Sequence, residues 1–145
     1  MENEGQEIIE TLIKYLLDPS RATPLGNYIK GSANPDEEPT GYPYVTVLAG
    51  DEEYGPGGQV TQQFTIELTV SNESTTGPQE EFLEVMKALR SAVIHFDETK
   101  AKAFRIEPTG SQVISGRTEK GVLYMGLISL TARYTIDVWE YDNAS

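Results

Sequence analysis

The sequence contains no cysteine and a single histidine, and these two shortages exclude several kinds of site. Disulfides, thiolate nucleophiles, cysteine-held iron–sulfur clusters and zinc centres built from cysteine and histidine all need residues that the chain lacks. No apolar run is long enough to span a bilayer, and the acidic N-terminus lacks the basic region of a signal peptide. We therefore expect a protein that is made in the cytoplasm and has no membrane segment.

Basic residues are also few. The 23 acidic residues stand against 11 lysines and arginines, for a net charge of −12 and an isoelectric point near 4.4. This balance disfavours non-specific binding to nucleic-acid phosphates, which clustered cations drive. Residues 1–75 hold 13 acids and 3 bases, whereas residues 76–145 hold 10 acids and 8 bases. The length of 145 residues is that of one domain, so we expect a single domain over 1–145.

Two stretches carry apolar residues at helical spacing. The first, Gln6–Leu17, is amphipathic and ends before Asp18-Pro19. The second follows the capping pattern Thr76-Gly77-Pro78-Gln79. Its apolar positions recur every three or four residues: Phe82, Val85, Met86, Leu89, Val93 and Phe96. The stretch 18–41 after the first helix is rich in proline and glycine and is expected to be an ordered excursion or a mobile loop.

Alternation of polar and apolar residues predicts four strands. The clearest is Gln59–Ser71, where every second residue from Val60 is apolar except Gln62. The element order is α-β-β-α-β-β, which predicts an α+β fold: a four-stranded antiparallel sheet with two helices on its apolar face. The remaining predictions are strands over Tyr42–Ala49, Phe104–Ile114 (interrupted at Pro108 and Gly110) and Val122–Trp139, a turn over Gly55–Gly58, and a polar loop over Ser115–Gly121.

Residues that indicate chemistry are sparse. His95 is the only imidazole, and helical geometry places it on the solvent side of the second helix, which favours a surface residue over a catalytic one. The acidic clusters Asp36–Glu38 and Asp51–Glu53 lack the spacing of a calcium-binding loop and are interpreted as solvated loops. Gly55–Gly58 lacks the lysine of a phosphate-binding loop, and no pair of acids is singled out as a glycosidase pair. No catalytic residue, cofactor or metal site is predicted.

Four segments together resemble the tail terminator and neck proteins of tailed bacteriophages, of the lambda minor tail protein U type. They are Tyr42–Val47 after the long loop, the alternating Phe64–Val70, the helix end Leu89–Val93 and the closing Ala132–Ile136. The likeness lies in element order and pattern, and it spans most of the chain. It implies a non-enzymatic virion protein, without cofactors, that forms a hexameric ring at the head-proximal end of the tail, ends tube polymerisation and joins the tail to the head connector.

This resemblance also implies the location and the partners. The protein would lie at the tail–neck junction of the virion, and in the host cytoplasm during assembly. Its partners would be further copies of itself, the tail-tube protein and the neck or connector protein, while genomic DNA passes through without specific binding. Like charge suits that passage, because it removes counterion release as a source of affinity.

Three groups of residues are candidates for these contacts, chosen by charge and loop length. The candidates are Asp51, Glu52, Glu53 and Glu67 for the lumen, Arg117, Thr118, Glu119 and Lys120 for the tail tube or a neighbouring subunit, and Arg21, Tyr28 and Lys30 for the connector.

Two other interpretations stay open. A neck, head-completion or tail-tube subunit would share the virion role, but a tube subunit stacks into open polymers whereas a terminator stops at one ring. A small ligand-binding or hydrolytic α+β domain would instead need a pocket with convergent polar groups. The substitution His95→Ala separates this last class, because an enzyme that uses its only imidazole would lose activity while a structural ring would assemble unchanged.

Overall fold

Residues 4–17, 30–32, 43–70, 78–96, 104–118 and 121–136 are described by a computed structural model of the chain. The helices are α1 (Glu4–Leu16) and α2 (Pro78–Ile94), and the strands are β1 (Lys30–Ser32), β2 (Tyr44–Tyr54), β3 (Gln59–Val70), β4 (Phe104–Thr118) and β5 (Gly121–Thr135). One sheet has the strand order β1-β2-β3-β5-β4, in which β1 and β2 are parallel and the pairs β2–β3, β3–β5 and β5–β4 are antiparallel. The predicted antiparallel sheet of four strands with two helices is confirmed, and β1 adds a short fifth strand.

One face of the sheet, here called the helix face, carries the apolar side chains that α1 and α2 cover. Every second side chain of β3 from Val60 to Val70 is buried on this face. The helices also contact each other, since the Tyr15 hydroxyl donates a hydrogen bond of 2.8 Å to the carbonyl oxygen of Ala92. Each large apolar side chain that is fully buried stabilises the fold by about 1.5–3 kcal/mol. The most deeply buried ones are Phe64, Phe82, Ile8, Leu12, Leu16, Ile66, Leu68, Leu89 and Leu130.

The opposite face, here called the second face, carries the polar side chains of β3, including Thr61, Thr65 and Glu67. It is only partly exposed, because Thr46 and Thr131 are buried on it. Tyr44 is buried there too, and its hydroxyl has no hydrogen-bond partner among the described residues.

Gln62, the polar interruption in the apolar alternation of β3, is buried on the helix face with only 5% of its surface exposed. Its Oε1 accepts a hydrogen bond of 2.8 Å from the Tyr134 hydroxyl, and its Nε2 donates one of 3.4 Å to the carbonyl oxygen of Gly50. Gly50 lies in the bulge that shifts the β2–β3 register between Ala49 and Glu52. The buried amide is tolerated because both of its ends are hydrogen-bonded.

Two strands are longer than the sequence predicts. The strand predicted over 42–49 continues to Tyr54, so Asp51–Glu53 belong to β2 and the interpretation of this cluster as a loop is wrong. The predicted loop over 115–121 is mostly strand, because β4 extends to Thr118 and β5 begins at Gly121. In both places the pairing with a neighbouring strand outweighs the weak local strand propensity of acidic residues and glycine.

The turn predicted over 55–58 is confirmed as a short 3-10 turn, Pro56–Gly58, in which Gly57 and Gly58 have φ values of 71° and 78°. Glycine is favoured at such positive values because it lacks a Cβ. The interruption predicted at Pro108 and Gly110 is a register shift in the β4–β5 pairing between these two residues.

The strand β1 lies inside the stretch 18–41 that the sequence predicts as a loop. It pairs in parallel with the start of β2, with Lys30 opposite Tyr44 and Ser32 opposite Thr46. A Cβ atom at Gly31 would lie 2.5 Å from the carbonyl oxygen of Val45, so the two strands approach this closely only because residue 31 is glycine. The rest of this stretch lies outside the described residues.

Candidate functional site: the two outer edges of the sheet

The three acids at 51–53 that the sequence predicts to line a lumen are exposed and lie in β2, next to the β2–β3 turn. Glu53 lies opposite Thr61 on the second face, whereas Glu52 lies opposite Gln62 on the helix face. Glu67 shares the second face with Glu53 but is about 20 Å farther along β3. The structure therefore does not gather these four acids into one cluster.

The predicted contact residues lie toward the other end of the sheet. Arg117 and Thr118 are the last two residues of β4, beside the β4–β5 turn. Lys30, predicted to contact the connector, begins β1 and lies beside Tyr44, in the same half of the sheet. The structure thus places the two predicted contact groups toward one end and the acids at 51–53 at the other. Four predicted residues lie outside the described residues: Arg21, Tyr28, Glu119 and Lys120.

His95 is exposed beyond the last residue of α2, as predicted, and its Nδ1 lies 2.8 Å from the carbonyl oxygen of Ser91. His95 does not line the open depression of about 330 Å³ beside the bulge of β2. This depression is formed by Gly50, Asp51, Glu53, Thr61 and Gln63.

Among the described residues, no group of three or more histidines and acids is placed to hold a metal ion. Within the same ranges, no helix has the length and apolar character needed to cross a membrane.

The sheet ends in two edges that no strand of the described ranges covers. On one side, β1 pairs with β2 only from Tyr44 to Thr46, and residues 49–54 of β2 are exposed. On the other side, β4 pairs only with β5, and residues 107–116 are exposed on both faces. Edges of this kind present backbone N–H and C=O groups to any further strand. These edges are the candidate functional site.

One row of side chains joins the two edges across the sheet. Glu53 lies opposite Thr61, Thr61 lies opposite Arg133, and Arg133 lies opposite Arg105. Residues directly opposite each other in an antiparallel pair share a face, so all four side chains lie on the second face. The row begins with a carboxylate at the β2 edge and ends with a guanidinium at the β4 edge.

The two ends of this row have opposite charge, and further charged residues lie near each end. At the β4 end, Arg105 and Arg133 are directly opposite each other, which is unfavourable for like charges. Glu107 lies 3.7 Å from Arg133, but both side chains are 68% exposed, so this ion pair contributes at most about 1 kcal/mol. At the β2 end, the three acids share a strand that contains no basic residue.

Tyr54 forms a hydrogen bond with one of these acids, Glu52, in its own strand. Its hydroxyl donates a hydrogen bond of 2.6 Å to Oε2 of Glu52. This hydrogen bond and the negative charge of Glu52 raise the pKa of Tyr54 above its ordinary value of 10.0. Glu52 therefore has a hydrogen-bond donor within its own strand, on the helix face, while Glu53 lies on the second face.

Of the β4 edge, only Arg117 and Thr118 are predicted from the sequence as contact residues, and none of residues 104–116 is. Pro108 and Gly110 did indicate an edge position, because proline and bulges in a sheet are confined mainly to edge strands. The exposed apolar side chains of Val113 and Ile114, at 56% and 44%, lie in the same strand. Nothing in the sequence indicated that Arg105 and Arg133 are neighbours, because that depends on the register of two strands.

Neither a protein-family model nor a curated protein matches this chain. The inference about function therefore rests on the geometry of the sheet and on the resemblance described above.

Proposed function

We propose that this protein is a tail terminator of a tailed bacteriophage, a non-enzymatic component of the virion. Its copies close into a ring, expected to be hexameric, at the head-proximal end of the tail, where the ring ends polymerisation of the tail tube and joins the tail to the head connector. The observation that best supports this proposal is the presence on one chain of two sheet edges of opposite charge that none of the described strands covers.

Two unlike edges on one chain favour a head-to-tail contact between copies. In such a contact each copy uses one edge and leaves the other available, so the assembly grows until it closes or continues as a filament. A closed ring covers every edge, and this removes the exposed strands that otherwise promote aggregation. A ring therefore accounts for the long exposed edges of β2 and β4 better than a solitary chain does.

The net charge supports passage of DNA through the ring. At −12 per chain, the ring offers no excess of cations whose binding to phosphates would release counterions. Glu53 and Glu67 share the second face, and we assign this face to the lumen. The two ends of the sheet then face the two axial partners, and Lys30, the candidate for the connector, lies toward the same end as Arg117 and Thr118, the candidates for the tail tube or a neighbouring subunit.

Solution mass and electron microscopy test the ring. Light scattering over a concentration series should give a discrete species near six times 16.0 kDa, and micrographs should show closed rings rather than filaments. Added to polymerising tail tubes, the protein should stop their elongation. Open polymers of the purified protein would indicate a tube subunit instead, and a strict monomer that associates with no tail component would contradict the proposal.

The variant His95→Ala is the control for an enzymatic role. Its side chain is exposed and lies beyond the end of α2, so we expect the variant to form the same rings and to stop tube elongation as the wild type does. Loss of a hydrolytic activity in this variant would favour the alternative of a small enzyme.

A further inference from the structure

We infer that neighbouring copies join by strand pairing, with the outer edge of β4 in one copy antiparallel to residues 51–54 of β2 in the next, and with Arg105 opposite Glu53 of the neighbouring copy. The inference rests on the proposed function in one respect, the head-to-tail contact between copies. It adds which strands meet, in which direction and in which register.

The direction follows from the order of the strands. Each of the pairs β2–β3, β3–β5 and β5–β4 is antiparallel, so β2 and β4 run in opposite directions within one chain. When copies are related by rotation about an axis along the strands, β4 of one copy meets β2 of the next in antiparallel orientation. The hydrogen-bonding pattern of the sheet then continues unchanged from copy to copy.

Charge selects the register of this contact. If the row of Glu53, Thr61, Arg133 and Arg105 continues into the next copy, Arg105 lies between Arg133 of its own chain and Glu53 of the neighbouring copy. This places an opposite charge on the side of Arg105 that faces away from Arg133. A shift by one residue would turn Glu53 to the other face, away from Arg105.

The remaining parts of the two edges define where this contact ends. Glu107 comes level with Asp51 in the bulge of β2, which is unfavourable for like charges, and the contact of Glu107 with Arg133 of its own chain offsets part of that repulsion. Pro108 has no N–H to donate, so the ladder ends there. Beyond it, residues 112–114 of β4 come level with β1 of the neighbouring copy, which already occupies the outer side of β2 at Tyr44–Thr46, so β4 and β2 do not pair there.

A different self-contact would pair β4 with β4 across a two-fold axis. The segment Gly110–Gly116 has no charged residue and reads almost the same in both directions around Val113, so two copies can approach there without repulsion. Such a contact forms a closed dimer and leaves residues 49–54 of β2 uncovered. The opposite charges at the ends of one row favour the β4–β2 contact, and the following experiments separate the two.

Charge exchange tests the pairing of Arg105 with Glu53. The single substitutions Arg105→Glu and Glu53→Arg should each weaken association about fivefold per contact, as measured by sedimentation velocity. The double variant, with both substitutions in one chain, should restore association because each contact again pairs opposite charges. Lys87→Glu, on the exposed side of α2, makes the same change in net charge as Arg105→Glu and should leave association unchanged.

Cross-linking tests the contact without relying on charge, and the absence of native cysteine makes it unambiguous. In the double variant Glu53→Cys/Arg105→Cys, the two thiols of one chain are separated by the width of the sheet, about 14 Å, so oxidation can join them only between copies. We expect a ladder of covalent oligomers that ends at the ring, and none from either single variant.

The outcomes separate this inference from the proposed function. A ring that survives Arg105→Glu and Glu53→Arg, and that gives no cross-linked ladder, overturns the β4–β2 contact while the terminator proposal stands. A cross-linked dimer from Val113→Cys alone shows the β4–β4 contact and also overturns the inference. A wild-type chain that stays monomeric both alone and with tail tubes overturns both.

Discussion

Gln62 is a polar residue at a position where the alternation of β3 calls for an apolar one, and its burial depends on two hydrogen bonds. The Tyr134 hydroxyl is the donor to its Oε1. Removing a donor from a buried acceptor costs about 1–3 kcal/mol. We therefore expect Tyr134→Phe to lower the free energy of unfolding by about that amount in urea titrations.

A double-mutant cycle isolates this hydrogen bond. Because Gln62→Leu removes the acceptor that Tyr134→Phe leaves without a donor, the double variant should lose less stability than the sum of the two single variants. Tyr54→Phe, at an exposed tyrosine, is the matched control and should leave the stability near that of the wild type. Strictly additive losses would show that the hydrogen bond contributes nothing to folding.

Tyr54 provides a test by titration. Since Glu52 raises its pKa above 10.0, the folded state favours the protonated phenol, and this contribution to stability is present below pH 10.0 and is lost as the pH rises through the raised pKa. We expect Glu52→Gln to lower the pKa of Tyr54 toward its ordinary value. The pKa of Tyr54 can be measured from the ultraviolet absorbance of tyrosinate. At each pH, the absorbance of the Tyr54→Phe variant is subtracted from that of the protein that retains Tyr54. Identical difference curves for the wild type and Glu52→Gln would contradict the contact.

At the scale of single elements, β1 depends on one glycine. Because a Cβ at position 31 would meet the carbonyl oxygen of Val45 at 2.5 Å, Gly31→Ala requires the backbone of β1 or β2 to move. We expect a loss of about 1–3 kcal/mol of stability, or detachment of β1. Hydrogen exchange should then be faster at the amides of β1 and of residues 44–46.

The control for this prediction is Gly116→Ala in β4. No atom lies within 4 Å of a Cβ placed at Gly116, so this substitution should leave stability and hydrogen exchange near those of the wild type. Equal effects of the two substitutions would mean that the close approach of β1 and β2 does not require glycine at position 31.

Some elements are determined by the local sequence pattern, and others depend on pairing with a neighbouring strand. Both helices and β3 follow from periodicity, because an amphipathic segment has one orientation that buries its apolar side. The extension of β2 through Asp51–Glu53 and of β4 through Thr118 does not, since those residues have weak strand propensity and are held by a neighbouring strand.

At the scale of the whole molecule, the net charge of −12 opposes association while the Arg105–Glu53 contact favours it. The first acts over long distances and the second over a few ångströms. Raising the salt concentration from about 0.01 M to 0.1 M shortens the Debye length from about 30 Å to 10 Å, which screens the long-range repulsion first. We expect association to strengthen over this range and to weaken again near about 1 M, where close contacts are screened as well.

Sedimentation velocity over this salt series measures the prediction. The double charge-exchange variant Arg105→Glu/Glu53→Arg has the same net charge as the wild type and should show the same rise and fall. Association that only weakens with salt would show that attraction between unlike edges dominates at every distance. Association independent of salt would contradict an electrostatic contact.

The site illustrates where prediction from sequence ends. The exposed position of His95 and the turn at 55–58 follow from residue type and spacing, and the structure agrees with both. The distance of Glu67 from the acids at 51–53, and the placement of Lys30 in the same half of the sheet as Arg117, do not follow from the sequence, because distance along the chain says little about position across strands.

By itself, the sequence excluded disulfides and cysteine-based sites by its composition. It also determined the two amphipathic helices, the buried face of β3 and the α+β class, because helical and strand periodicities are local properties of the chain. Only the tertiary structure decided that residues 49–54 of β2, beyond β1, and strand β4 form the outer edges and that Glu53 and Arg105 end one row. That row crosses two hairpins, β2–β3 and β4–β5, that are far apart in sequence, and its register is set by the collective packing of the helix face, with no local signal in the residues that it joins.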